Sequence, residues 1–189
     1  MFVLVESGSV TKFLANNRGI QIGDLKYPAA IFTLWSESER NAIGVYEVEI
    51  DKTNFKDIEY YTNTDITYTY DSSANKVKGT YGTATAKELA DKTVDGVVQK
   101  GLKTKHKEII DGQCASILAP SDWMAVKAFE EGGDVESGWK TWRGNVRTKC
   151  NSMQTQIDNA ANVDALAALY AYNTDNPPTR PLGEFPVKE

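Results

Sequence analysis

The sequence predicts an α+β fold. A small antiparallel β region with one short helix comes first, then a helical hairpin and an extended proline-containing tail. Three observations carry this expectation. Residues 45–50 and 66–81 alternate apolar with polar side chains, the period of a strand. From about residue 84 onward the apolar residues, Leu89, Val97, Val98, Leu102, Ile109, Ile110, Cys114 and Ile117 first among them, recur at helical spacing. Pro177, Pro178, Pro181 and Pro186 crowd the last stretch, where no regular element can persist. The expected organisation is a β-rich domain over 1–83, a connector over 84–103, a helical region over 104–172 and an extended tail over 173–189.

Phe2, Leu4 and Val10 flank the turn residues Glu6-Ser7-Gly8-Ser9, which suits a small hairpin or a strand entering a loop. Tyr27-Pro28 imposes an extended or turn geometry. Ser36 with Glu39 three positions on is a capping box, and Gly44 can supply the left-handed residue that ends so short a helix. The alternation of residues 45–50 sets Val45 and its even-spaced partners apart from Glu47 and Glu49. Residues 66–70 and 76–81 form a hairpin across the polar turn Asp71-Ser72-Ser73-Ala74-Asn75.

Gly96, Gly101 and Gly112 each weaken the run by about 1 kcal/mol relative to alanine, so the earlier stretch is partly a connector and a shorter helix is expected over about 104–118. Pro120 stops it, and Ser121 or Asp122 caps the next helix. Trp139, Trp142, Val146, Cys150, Met153, Ile157 and Ala160 fall on one face of a helix of about 24 residues. Lys140, Arg143, Arg147, Gln154 and Asp158 then occupy its solvated face. Trp123 and the pair Trp139 and Trp142 open two successive helices and are placed to pack together as core. A further short helix is expected over 164–172.

With 189 residues, a net charge of −5 and a pI of about 5.1, the chain does not read as a nucleic-acid binder that relies on a broad basic surface. A mean hydropathy of −0.44 and the lack of a long apolar run argue against a membrane span. Residues 1–5 are too short an apolar run for a secretory leader. Two cysteines make no disulfide framework, so a reducing compartment is the simpler expectation.

Catalytic chemistry finds little to work with. His106, the lone histidine, sits in Lys103-Thr104-Lys105-His106-Lys107 and reads as a solvated helix face without an orienting carboxylate. Cys114 and Cys150 fall on apolar stripes, where free cysteine behaves as a small buried hydrophobe. The chain has no CxxC, HExxH, calcium loop, GxGxxG or P-loop, and Asp51, Asn54 and Asp57 read as a turn. A glycosidase needs two acids that meet only in space, and no pair is marked by its context. The tyrosines of residues 60–81 fit cross-strand packing, with a recognition surface as the alternative. No residue is therefore assigned a catalytic, cofactor-binding or metal-binding role, and no cofactor is expected.

The runs Leu118-Ala119-Pro120-Ser121-Asp122-Trp123, Trp142-Arg143-Gly144-Asn145-Val146-Arg147 and Ile157-Asp158-Asn159-Ala160 together resemble the C-terminal region of small bacteriophage tail proteins, the tail-fibre-associated and fibre-assembly group. In that group a helix opening on Ser or Thr, Asp, Trp precedes one carrying an aromatic, an Arg and a second Arg. Pro177-Pro178 and Phe185-Pro186 are similar to the group's proline-containing tails, although the usual Trp-Pro is absent. Residues 27–48, ending in Ile43-Gly44-Val45-Tyr46-Glu47-Val48, resemble its opening. The likeness spans about two thirds of the chain and implies a virion or virion-assembly role without catalysis.

The expected function is thus a non-enzymatic virion structural protein of tail, baseplate or fibre, located in the virion after synthesis in the host cytoplasm. The expected partners are other phage structural proteins and further copies in a homo-oligomer, with host-surface contact as an option and neither nucleic acid nor membrane. Docking is expected through the hairpin of residues 67–81 and the stripe of residues 139–160. An assembly chaperone that leaves the particle and a polysaccharide-acting hydrolase are the alternatives.

Overall fold

β1 (Phe2–Glu6) and β2 (Ser9–Leu14) pair antiparallel across Ser7 and Gly8, which both take positive φ, 50° and 77°. That is the turn geometry whose twist matches the strands it joins. The computed structural model describes residues 1–188 and divides the chain into two compact units, meeting at residues 85 and 86. It is a mixed α+β protein, strand-rich in the first half and helical in the second.

In the first unit a second hairpin follows, β3 (Ile20–Ile22) and β4 (Leu25–Tyr27), then α1 (Ile31–Leu34) and α2 (Glu37–Ala42). The capping box forms as expected: Ser36 N–H donates to Glu39 Oε2 at 2.7 Å and Glu39 N–H to Ser36 Oγ at 3.3 Å. Gly44 follows at φ +80°, and a Cβ there would lie 2.8 Å from the Val5 carbonyl oxygen. Glycine is needed at that turn for both reasons.

β5 (Val45–Asp51), β6 (Tyr61–Thr62), β7 (Ile66–Asp71) and β8 (Lys76–Tyr81) complete the unit. The main sheet runs β2-β1-β5-β8-β7. It is not wholly antiparallel, because β5 and β8 pair in parallel. Residues 52–75 separate them, long enough for the crossover a parallel pair requires, and β7 rides on the outer edge of β8 as the expected hairpin. Phe13 of β2 meets Tyr68 of β7 edge-on at 4.8 Å, so the two outer strands touch.

Both faces of the sheet centre are covered. Phe2, Leu4, Leu14 and Val45 pack with Ile31 and Phe32 on one side. Val3, Tyr46, Val48 and Val77 form the other. Val45 therefore shares its side of the strand with Glu47 rather than with Val48, and is buried because α1 shields that end. Tyr46 and Tyr70 hydroxyls both donate to Asn75 Oδ1, at 2.8 and 2.9 Å. Burial, with the Tyr70 hydroxyl beside it, pushes the Tyr46 phenol up to about 12. A folded value above the usual 10 means stability intact below pH 10 and lost as pH rises toward 12. Alkaline titration followed by circular dichroism should show that loss, and Tyr46→Phe should flatten it.

The second unit opens near β9 (Thr85–Ala86). The expected connector holds a hairpin instead, β10 (Lys92–Val94) and β11 (Val97–Gln99), turning on Asp95-Gly96. α3 (Leu102–Leu118) begins two residues before the expected start, and a single 3₁₀ turn (Ala119–Ser121) leads to α4 (Asp122–Glu130). α5 (Ser137–Asn159) and α6 (Val163–Ala168) follow. α3 and α5 are the packed helical pair, with α4 between them in sequence. Val146, Cys150, Met153 and Ile157 are buried along α5, and Ala160 just past its end, as the spacing predicts. The chain after Asn173 carries no helix or strand in the described residues, yet Leu182 is fully buried and its amide donates to the Leu169 carbonyl at 2.9 Å.

Candidate functional site

Two of the segments that carry the resemblance, residues 118–123 and 142–147, meet at one side chain. Arg143 was expected on the solvated face of α5; it is buried, because it continues the stripe one turn before Val146. Its Nη1 donates to the Leu118 carbonyl at 3.0 Å and to Ser121 Oγ, and its Nη2 donates to Asp122 Oδ1 at 2.5 Å. Ser121 is buried too, and its hydroxyl donates to the Leu118 carbonyl at 2.8 Å. A guanidinium fork suits this because it offers several donors in fixed directions. The end of α3, the 3₁₀ turn and the start of α4 are thereby tied to α5.

So anchored, α4 turns an apolar face to solvent. Trp123, Val126 and Phe129 are 57%, 56% and 87% exposed. They recur every three residues and so lie along one side of the nine-residue helix. Trp123 was expected in the core with Trp139 and Trp142. Those two pack edge-on against each other, 5.5 Å apart and only half-buried, while Trp123 is more than half exposed. Trp123 and Trp139 instead line a groove of about 350 Å³ with Met124, Lys127, Asp134 and Glu136.

The groove wall is held by local hydrogen bonds. The Glu136 carboxylate accepts from the amides of Gly138 at 2.8 Å and Trp139 at 3.2 Å, capping α5. Those two amides hold its carboxyl below the usual carboxylate range. Lys140 reaches Asp134 at 3.1 Å, and the Trp142 indole N–H donates to the Pro186 carbonyl at 3.0 Å. Apolar walls with a polar rim can hold hydrophobic side chains of a partner; the arrangement offers no nucleophile and base in contact.

Of the two expected docking elements the α5 stripe is covered, while the hairpin keeps its strand β7 at the edge of the sheet. The stripe of α5 from Val146 onward is buried within its own unit, and β8 lies inside the sheet with β7 fastened along it. His106, expected in solvent, is 3% exposed, its ring 4.9 Å from that of Tyr170. The lysines around it mislead because they turn outward: Lys107 pairs with Asp158 at 2.8 Å, Lys100 with Glu108, and Lys103 donates to the Asp158 carbonyl. Cys114 and Cys150 are buried as expected, and Cys150 is pushed up to about 11, chiefly by burial. Cys114 sits eight residues from His106 on α3, about 12 Å along the axis, too far for a thiol–imidazole pair.

Asp51 Oδ1 accepts from the Thr53 amide and hydroxyl at 2.8 and 2.6 Å, and Asp57 Oδ1 from the Glu59 amide at 2.9 Å, both as local turns. Among the described residues no three His, Cys, Asp or Glu side chains are grouped to hold a metal ion, and no helix is long and apolar enough to cross a membrane. Comparisons with protein-family models, with curated proteins and with solved structures find no match for this chain.

Proposed function

We propose that the protein is a non-enzymatic structural subunit of a bacteriophage virion, of tail, baseplate or fibre, and that it works by binding neighbouring structural proteins through α4. The observation that carries this reading is the exposed row Trp123, Val126 and Phe129 beside the groove at Trp139. Large aromatic side chains left in water on one helix face are a feature of recognition surfaces. The phage assignment rests on the sequence likeness, whose Ser121, Asp122 and Arg143 are the residues that hold this helix in place.

Quantitative mass spectrometry of purified particles tests both parts. The protein should be present in a fixed ratio to the other tail components. The pair of changes Trp123→Ser and Phe129→Ser should leave the melting temperature within about 2 °C, since both side chains are more than half exposed, yet lower incorporation at least tenfold. Undiminished incorporation would remove α4 from the interface. A wild-type protein missing from particles but bound to a fibre subunit in the lysate would make it an assembly chaperone.

A further inference from the structure

The two buried thiols lie on facing helices. Contacts between α3 and α5 fix an antiparallel register: Leu118 with Arg143, Asp111 with Cys150 and Gln154, Lys107 with Asp158. Within that register Cys114, one turn from Asp111, comes opposite Cys150. The Cys150 thiol donates to Asp111 Oδ1 at 3.7 Å, on the turn of α3 next to Cys114. Both are free in this structure.

We propose that Cys114 and Cys150 are a conditional disulfide site, reduced where the chain is made and bridged when it meets a disulfide oxidant. The bridge would join α3 to α5 and enclose residues 115–149, the whole of α4 included. The step is thiol–disulfide exchange with a small disulfide such as oxidised glutathione. One cysteine thiolate attacks a glutathione sulfur, giving a mixed disulfide and one glutathione thiolate. The second cysteine, as thiolate, attacks the protein sulfur of that mixed disulfide and expels the other glutathione thiolate. Two protons leave the protein and are taken up by the two glutathione thiolates. The protein is oxidised by two electrons and the glutathione disulfide is reduced by two. Cys150 holds its proton to well above neutral pH and both thiols are covered, so the reaction waits on local opening and runs over hours. The inference stands on the α3–α5 register and is independent of any virion role.

The full-length protein, incubated with oxidised glutathione and quenched in acid, should lose about 2 Da in intact mass. It should form no covalent dimer and, once unfolded, resist alkylation at both cysteines. Its melting temperature should rise by roughly 10 °C and fall back on reduction, because the loop closed is long. Cys114→Ser and Cys114→Ala should give at most a glutathione adduct and no rise. Two alkylatable thiols persisting at equilibrium, a stable glutathione adduct on the wild type, or covalent dimers would each overturn the proposal.

Discussion

Replacing Arg143 with alanine should destabilise the helical unit by about 2–5 kcal/mol, read as a loss of melting temperature or a lower urea midpoint. The size follows from what is left behind. Asp122 is 60% exposed, so its carboxylate falls back on water and its loss as a partner costs little. The Leu118 carbonyl and the Ser121 hydroxyl are in covered positions and each loses a charged donor, at about 1–3 kcal/mol apiece. The stem of the side chain also leaves a void on the buried stripe. Asp122→Asn should therefore cost under about 1 kcal/mol. Arg143→Lys should fall between the two, because an ammonium cannot fork toward three acceptors. A cost for Asp122→Asn equal to that of Arg143→Ala would mean that the ion pair, and not the buried carbonyl and hydroxyl, holds the helices together.

Periodicity read well wherever one residue class answers to one environment. The capping box at Ser36, the strands of residues 45–51 and 66–81 and the long helix of residues 137–159 all follow from local spacing. Partners are a different matter. Nothing in the alternation of β5 says that its neighbour is β8 and parallel, since the same pleat serves either pairing. Asp95-Gly96 between two valines is a hairpin signal, and it outweighs the helical spacing of the apolar residues around it.

The candidate site was the least legible part, for a related reason. Residue type and local spacing put Arg143 and His106 in water and Trp123 in the core, and the structure has each the other way round. Each is reversed by a residue distant in sequence: Ser121 receives Arg143, and Tyr170 covers His106. Trp123 stays largely outside because Arg143 ties the start of α4 at Ser121 and Asp122, which leaves Trp123 lining the groove it shares with Trp139. The row at Trp123, Val126 and Phe129 was visible as spacing, but spacing alone does not distinguish a buried face from an exposed one.

Ile157→Ala should produce the second large loss, about 2–5 kcal/mol, with the melting temperature as readout. Ile157 is fully covered, as are Met153 one turn before it and Leu166 on α6. Truncation removes three carbon atoms from a region where helix backbones limit how far the walls can close, so a cavity term adds to the lost transfer energy. Ile157→Val removes one carbon and should cost about 0.5–1.5 kcal/mol. That graded pair separates packing from propensity, because alanine is the better helix former and on propensity alone Ile157→Ala would stabilise α5. A gain in melting temperature for Ile157→Ala would show the α5 stripe to be solvated, and would take with it the register that sets Cys114 opposite Cys150 and carries Arg143 to α4.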